Sequence, residues 1–83
     1  MFKDKLVEQL NLPEVTDRGF FWTVKSELRD VYQFWWVITL HEKTHGGFWS
    51  KVVKSESFRV EHPNVIPEKE LRSAAVRIVQ IVL

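Results

Sequence analysis

Residues 31–48 read VYQFWWVITLHEKTHGGF, and this stretch decides the fold. From Val31 to Leu40 most residues are β-branched or aromatic, which lose rotamer freedom in a helix but pack well on a pleated surface. Gly46 and Gly47 follow, and glycine suits a turn that needs a positive φ. The stretch therefore predicts a strand that ends in a hairpin tip.

The same stretch contains the zinc-peptidase signature His-Glu-x-x-His, from His41 to His45. That site needs a helix, because residues four apart share a face there, and it needs a third protein ligand. Glu56, Glu61 and His62 are the downstream residues of the right type. Because the surrounding sequence does not read as a helix, we predict a hairpin end without a metal. A zinc site remains the second alternative.

The length of 83 residues predicts one small domain, residues 1–83. A content of 45% hydrophobic and 28% charged residues is typical of a folded globular chain. Four Trp and six Phe residues are many for this length, and each large aromatic side chain can bury about 150–250 Å². A formal net charge of +1 does not indicate a strongly electrostatic partner.

Several function classes lack the residues they require. The chain has no cysteine, so disulfides, thiol nucleophiles and thiolate metal sites are excluded. No glycine-rich phosphate loop is present, and no serine has a context that pairs it with His and an acid. The first residues mix charged with apolar residues, and no run approaches the length of a membrane span. We therefore expect a cytoplasmic, non-enzymatic protein with no cofactor and no membrane partner.

Two amphipathic helices are predicted, one at each end of the chain. The first has apolar residues at helical spacing and ends near Asn11 and Pro13. The last starts at Pro67, with Glu68 and Glu70 near its positive end. Its apolar stripe comprises Leu71, Ala74, Ala75, Ile78, Val79 and Val82.

Three strands with alternating apolar residues lie between the helices. Their inward, even-numbered residues are Phe20, Trp22, Val24 and Leu28; Tyr32, Phe34, Trp36, Ile38 and Leu40; and Phe48, Val52, Phe58 and Val60. Matching these faces pairs Val24 with Trp36 and Trp22 with Ile38, around turns at residues 29–31 and 44–46. A bulge near Val52 and Val53 is an open alternative. We predict an α+β fold with the order α-β-β-β-α, a three-stranded antiparallel meander with two helices on one face.

The face of the sheet opposite the helices is the predicted binding surface. On the predicted register it carries Phe21, Trp35, Val37, Trp49 and Val53, with Lys25 opposite Trp35 and Lys51 opposite Thr39. An exposed apolar patch with a polar rim is typical of an interaction site. We expect this chain to be a regulatory or inhibitory protein that binds a protein partner. The predicted binding residues are Phe21, Lys25, Trp35, Val37, Trp49 and Lys51. A homodimer and single-stranded nucleic acid, stacked on the aromatic rings, are alternatives.

The tail EKELRSAAVRIVQIVL, together with the order of elements, resembles a double-stranded RNA-binding domain, whose last helix carries a Lys-Lys-x-Ala-Lys motif before an alanine-rich stripe. The matching positions run from Glu68 to Arg72. The resemblance implies phosphate contacts from Lys69 and Arg72. Glu68 replaces the first lysine of the motif, and the turn at residues 29–31 is too short to enter a minor groove.

Overall fold

The structure, a computed structural model, describes residues 2–44, Gly46 and residues 49–83. In these ranges the elements are α1 (Phe2–Leu10), α2 (Pro13–Thr16), β1 (Phe20–Arg29), β2 (Gln33–Lys43), β3 (Ser50–Val60) and α3 (Glu68–Val82). The strands form one antiparallel sheet in the order β1-β2-β3. The predicted α+β class and the order α-β-β-β-α are confirmed. The short helix α2, which begins at Pro13, was not predicted.

The core lies between the helices and the even-numbered face of the sheet. Its buried residues are Trp22, Val24, Trp36, Ile38, Leu40 and Val60 from the strands, and Leu6, Val15, Leu71, Ala74, Ala75 and Ile78 from the helices. The Phe2 ring meets the Trp36 ring edge to face, with their centroids 6.0 Å apart. Small Ala74 and Ala75 let α3 approach the sheet closely. Trp22 and Trp36 are thus core residues, as predicted.

The β1–β2 pairing differs from the predicted register by two residues. Trp22 pairs with Leu40, and Val24 pairs with Ile38. The turn consists of Asp30, Val31 and Tyr32, with a φ of 54° at Asp30. Aspartate tolerates this left-handed conformation better than most residues. The predicted turn at residues 29–31 is therefore wrong, and Tyr32, predicted to face inward, is 83% exposed. Leu28 is likewise exposed rather than buried.

The β2–β3 pairing contains the bulge that the sequence left as an alternative. His41 pairs with Val52, whereas Leu40 pairs with Lys54, so Val53 is the extra residue on β3. Between the hairpin connection and the bulge, the side chains of β3 lie on the face opposite to the predicted one. Val52, predicted to face inward, pairs with His41 on the open side of the sheet and is 62% exposed. Val53 instead packs against the core.

The β2–β3 connection is longer than the predicted turn at residues 44–46. Lys43 pairs with Ser50, so residues 44–49 connect the strands. Gly46 has a φ of 74°, which agrees with the left-handed conformation expected of it. His45, Gly47 and Phe48 lie outside the described residues, and so does the prediction that Phe48 faces inward.

Polar contacts tie the helices to both edges of the sheet. On β1, Trp22 N–H donates to Asn11 Oδ1 at 2.7 Å, and Asn11 Nδ2 donates to the Trp22 carbonyl at 3.3 Å. On β3, Arg77 of α3 donates to Glu56 Oε1 at 2.8 Å. Neither α1 nor α3 therefore depends on apolar packing alone. None of the described helices is long and apolar enough to cross a membrane.

Candidate binding face of the sheet

The face that we call the open face consists of the odd-numbered residues of β1 and β2 together with the β3 residues that pair with them, which are even-numbered before the bulge and odd-numbered after it. None of the described helices packs on it, because their buried residues all join the cluster on the even-numbered face. Its rows across β1, β2 and β3 are Phe21, His41 and Val52; Thr23, Thr39 and Ser55; Lys25, Val37 and Ser57; and Glu27, Trp35 and Arg59. Arg29 and Lys43 lie at its two ends, opposite Gln33 and Ser50.

Charge is distributed unevenly between the open face and the rest of the molecule. The open face carries Lys25, Arg29, Lys43 and Arg59 but only one carboxylate, Glu27. The whole chain has 12 basic and 11 acidic residues, so acidic residues predominate elsewhere. A surface with an excess of one sign attracts ligands of the opposite sign, although the net charge of the molecule is near zero.

Arg29 crosses the sheet above Trp35. Its guanidinium carbon lies 4.7 Å from the centroid of the Trp35 ring, and its Nη2 donates to Ser57 Oγ at 3.3 Å. The same guanidinium group also contacts Glu27, because Arg29 Nε donates to Glu27 Oε1 at 2.6 Å. This hydrogen bond lowers the pKa of the Glu27 carboxyl, and the charges of Arg29 and Lys25 act in the same direction. Trp35 is therefore shielded from solvent by an arginine rather than exposed as an apolar patch.

The other end of the open face is built around His41. Its ring stacks on Phe21 with centroids 4.7 Å apart, and its Nε2 lies 2.7 Å from Thr23 Oγ1. Partial burial lowers the pKa of His41, because the protonated ring loses water contacts. In the neighbouring row, the hydroxyls of Thr39 and Ser55 lie 3.3 Å apart. This end is thus a hydrogen-bonded polar surface with one stacked aromatic pair.

The structure brings some of the predicted site residues together and separates others. Phe21, Lys25, Trp35 and Val37 share the open face, but Lys25 lies opposite Val37 rather than Trp35. Val37 is only 6% exposed, so its neighbours cover most of it.

The remaining two predicted site residues lie elsewhere. Lys51 pairs with Glu42, not with Thr39, which places it on the helix-covered face, where its Nζ is 3.1 Å from Glu42 Oε1. Trp49 precedes β3 and is 77% exposed. The predicted position of Lys51 was wrong because the bulge at Val53 and the longer hairpin connection change which residues meet.

The His-Glu-x-x-His match begins in a strand, since β2 extends to Lys43. His41 contacts Thr23 and Phe21 on the open face, whereas Glu42 contacts Lys51 on the opposite face. His45 lies outside the described residues. Across the part of the chain that the structure describes, no group of three or more His, Cys, Asp or Glu residues is placed to hold a metal ion.

Lys69 and Arg72, the residues implied by the resemblance to double-stranded RNA-binding domains, lie on the first turns of α3. Both are exposed. Arg72 contacts Glu68 at 2.9 Å and also donates to Gln9 of α1. With Glu70 in the same turns, this part of α3 has as many carboxylates as cations.

Sequence reasoning missed Arg29, Lys43 and Arg59 as residues of this face. The predicted turn includes Arg29, although its odd number places it in phase with Lys25 and Glu27. Arg59 alternates with Ser57 and Ser55, and this pattern is visible in the sequence once the second half of β3 is considered separately. A search for charge along each strand face would have found all three.

Comparisons with protein-family models, with curated proteins and with solved structures found no match to this chain.

Proposed function

We propose that this chain is a non-enzymatic binding module whose open face binds an acidic segment of a protein partner. The observation that carries the proposal is the separation of charge, four basic residues and one acidic residue on the uncovered face of the sheet. A module of this size acts by occupying a surface of its partner, which is a regulatory or inhibitory role. Its cytoplasmic location stays a prediction.

A protein ligand suits the side chains of this face. Trp and Arg are the residue types enriched at the energetic centres of protein interfaces, and here Arg29 lies on Trp35. Ser57 supplies a hydroxyl beside them, and Thr23 and Ser55 supply hydroxyls farther along the same face. The formal net charge of +1 leaves only a weak long-range field for a polyanion such as nucleic acid.

The test compares two double variants that remove the same charge from opposite faces of one sheet. Lys25→Gln with Lys43→Gln changes the open face, and Lys51→Gln with Lys54→Gln changes the helix-covered face. The probe is a labelled peptide rich in Glu and Asp, measured by fluorescence anisotropy at fixed salt. Exposed ion pairs contribute about 0.2–1 kcal/mol each, so the open-face variant, which removes two charges, should bind about two- to thirtyfold more weakly. Equal losses in both variants would reject the open face as the site.

Nucleic-acid binding is the second candidate, favoured by the α-β-β-β-α order with its terminal helices on one side of the sheet. We expect only weak binding of duplex RNA and single-stranded DNA at physiological salt. Tight binding of duplex RNA that is lost in Lys69→Ala with Arg72→Ala would support the family resemblance. Loss of single-stranded DNA binding in Trp35→Ala or Trp49→Ala would indicate base stacking.

Self-association is tested by size-exclusion chromatography of the same variants. A dimer that the open-face variant converts to a folded monomer would show that this face binds a second copy. The proposal of a different protein partner would then be wrong.

A further inference from the structure

Two arginines neighbour Trp35 on the open face, and Glu27 is the one carboxylate that the described strand residues place on that face. Arg29 lies above the Trp35 ring, and Arg59 pairs directly opposite Trp35 on β3. Glu27 forms ion pairs with Arg29 and with Lys25. None of the ion pairs among the described residues involves Arg59. Arg59 is therefore not held by a carboxylate within ion-pair distance in the part of the chain that the structure describes.

Arg29, Ser57 and Arg59 are neighbours at the β3 side of the open face. Arg29 Nη2 reaches Ser57 Oγ at 3.3 Å, and Ser57 and Arg59 lie two residues apart on the same face of β3, about 7 Å between their Cα atoms. Glu27 holds Arg29 through both its Nε and its Nη2. In the described part of the chain, Arg29 Nη1 takes part in no hydrogen bond. Arg29 Nη1 and the Ser57 hydroxyl can thus donate to an acceptor, and the exposed Arg59 lies beside them on β3.

We propose that Arg29, Arg59 and Ser57 form an oxyanion subsite, which binds a carboxylate or phosphate group carried by the partner. This inference rests on the proposed function and deepens it. The planar guanidinium presents paired N–H donors that match the two oxygens of a carboxylate or phosphate, which a lysine does not. Trp35 forms the floor of the subsite, and Glu27 positions Arg29 on it. An anion between Arg29 and Arg59 reduces the repulsion between the two cations.

The subsite is tested first without any partner, by NMR titration of the protein with inorganic phosphate against chloride at matched ionic strength. The reporters are the Nε–H signals of Arg29 and Arg59 and the indole N–H of Trp35, which donates to Gln33 Oε1 at 3.3 Å. We expect saturable shifts of these signals with phosphate, abolished in Arg59→Gln and retained in the matched control Lys51→Gln. Shifts that do not saturate, or that persist unchanged in Arg59→Gln, would overturn the subsite.

Peptides then distinguish a carboxylate from a phosphate. Three acidic peptides differ at one position, which is Ser, Glu or phosphoserine. We expect the Glu and phosphoserine peptides to bind about three- to tenfold more tightly than the Ser peptide, as for one charge-assisted contact at a partly exposed site. Arg59→Gln should remove this difference in affinity. Arg59→Lys should keep only part of it, because lysine has the same charge but lacks the paired N–H donors of the guanidinium.

The two proposals fail in different ways. If all three peptides bind equally well but still depend on Lys25 and Lys43, the subsite is wrong and the proposed function stands. If no acidic peptide binds while phosphate saturates the Arg59 signal, the subsite stands and the proposed function is wrong.

Discussion

Trp35 and Trp36 are adjacent in the sequence and lie on opposite faces of β2. Trp36 is 6% exposed and meets Phe2 of α1, whereas Trp35 lies on the open face beneath Arg29. Trp36→Ala should therefore cost about 3–5 kcal/mol, a large fraction of the roughly 5–10 kcal/mol expected for a small domain. Urea unfolding followed by circular dichroism measures the loss.

Trp35→Ala is the matched variant, since it removes the same side chain from the neighbouring position. It should leave a cooperatively folded protein and should weaken binding of the acidic peptide, because the floor of the oxyanion subsite is removed. A Trp35→Ala protein as unstable as Trp36→Ala would show that Trp35 supports the fold rather than a binding site.

Asn11 connects the end of α1 to the outer edge of β1 through two hydrogen bonds with the backbone of Trp22. Asn11→Ala leaves the N–H and carbonyl of Trp22 without these partners beside a side chain that is only 1% exposed. We expect a loss of about 1–3 kcal/mol in the free energy of unfolding. Asn11→Asp keeps the acceptor for the Trp22 N–H and should lose less. Equal stability of Asn11→Ala and the wild type would contradict the role of this contact.

His41 should make the stability of the fold depend on pH. Burial lowers its pKa in the folded state below the ordinary value of 6.5, so the unfolded chain binds more protons between these two values. The stabilising contribution of neutral His41 is therefore fully present above pH 6.5. It decreases as the pH falls from 6.5 through the lower pKa of the folded state. Urea unfolding from pH 5 to pH 7.5 measures it, and His41→Gln should flatten the profile. An NMR titration that places the pKa of His41 above 6.5 would refute the prediction.

Zinc should have no effect on the fold. The His-Glu-x-x-His match does not present His41 and Glu42 on one face, because they alternate along β2. Added Zn²⁺ should leave the melting temperature unchanged, and the double variant His41→Ala with His45→Ala should still fold. Stoichiometric binding of zinc with sub-micromolar affinity, measured by calorimetry, would restore the metal-site alternative.

The alternation of apolar residues in the sequence determined which face of β1 and β2 is buried. Trp22, Val24, Trp36, Ile38 and Leu40 are all core residues, as their even spacing predicted. Helical spacing likewise identified the buried side of α3, at Leu71, Ala74, Ala75 and Ile78. These features follow from local periodicity, because the side chains of a strand alternate between faces and those of a helix return every 3.6 residues.

Only the tertiary structure decided which residues lie opposite one another. A slip of two residues keeps every side chain on its own face, so the apolar pattern is the same for Val24 paired with Trp36 or with Ile38. The turn at Asp30 selects the second pairing and extends β1 to include Arg29. The bulge at Val53 brings Arg59 opposite Trp35. The cluster of Arg29, Trp35, Ser57 and Arg59 therefore depends on one turn and one bulge. The alternation of apolar and polar residues along a strand does not specify either of them.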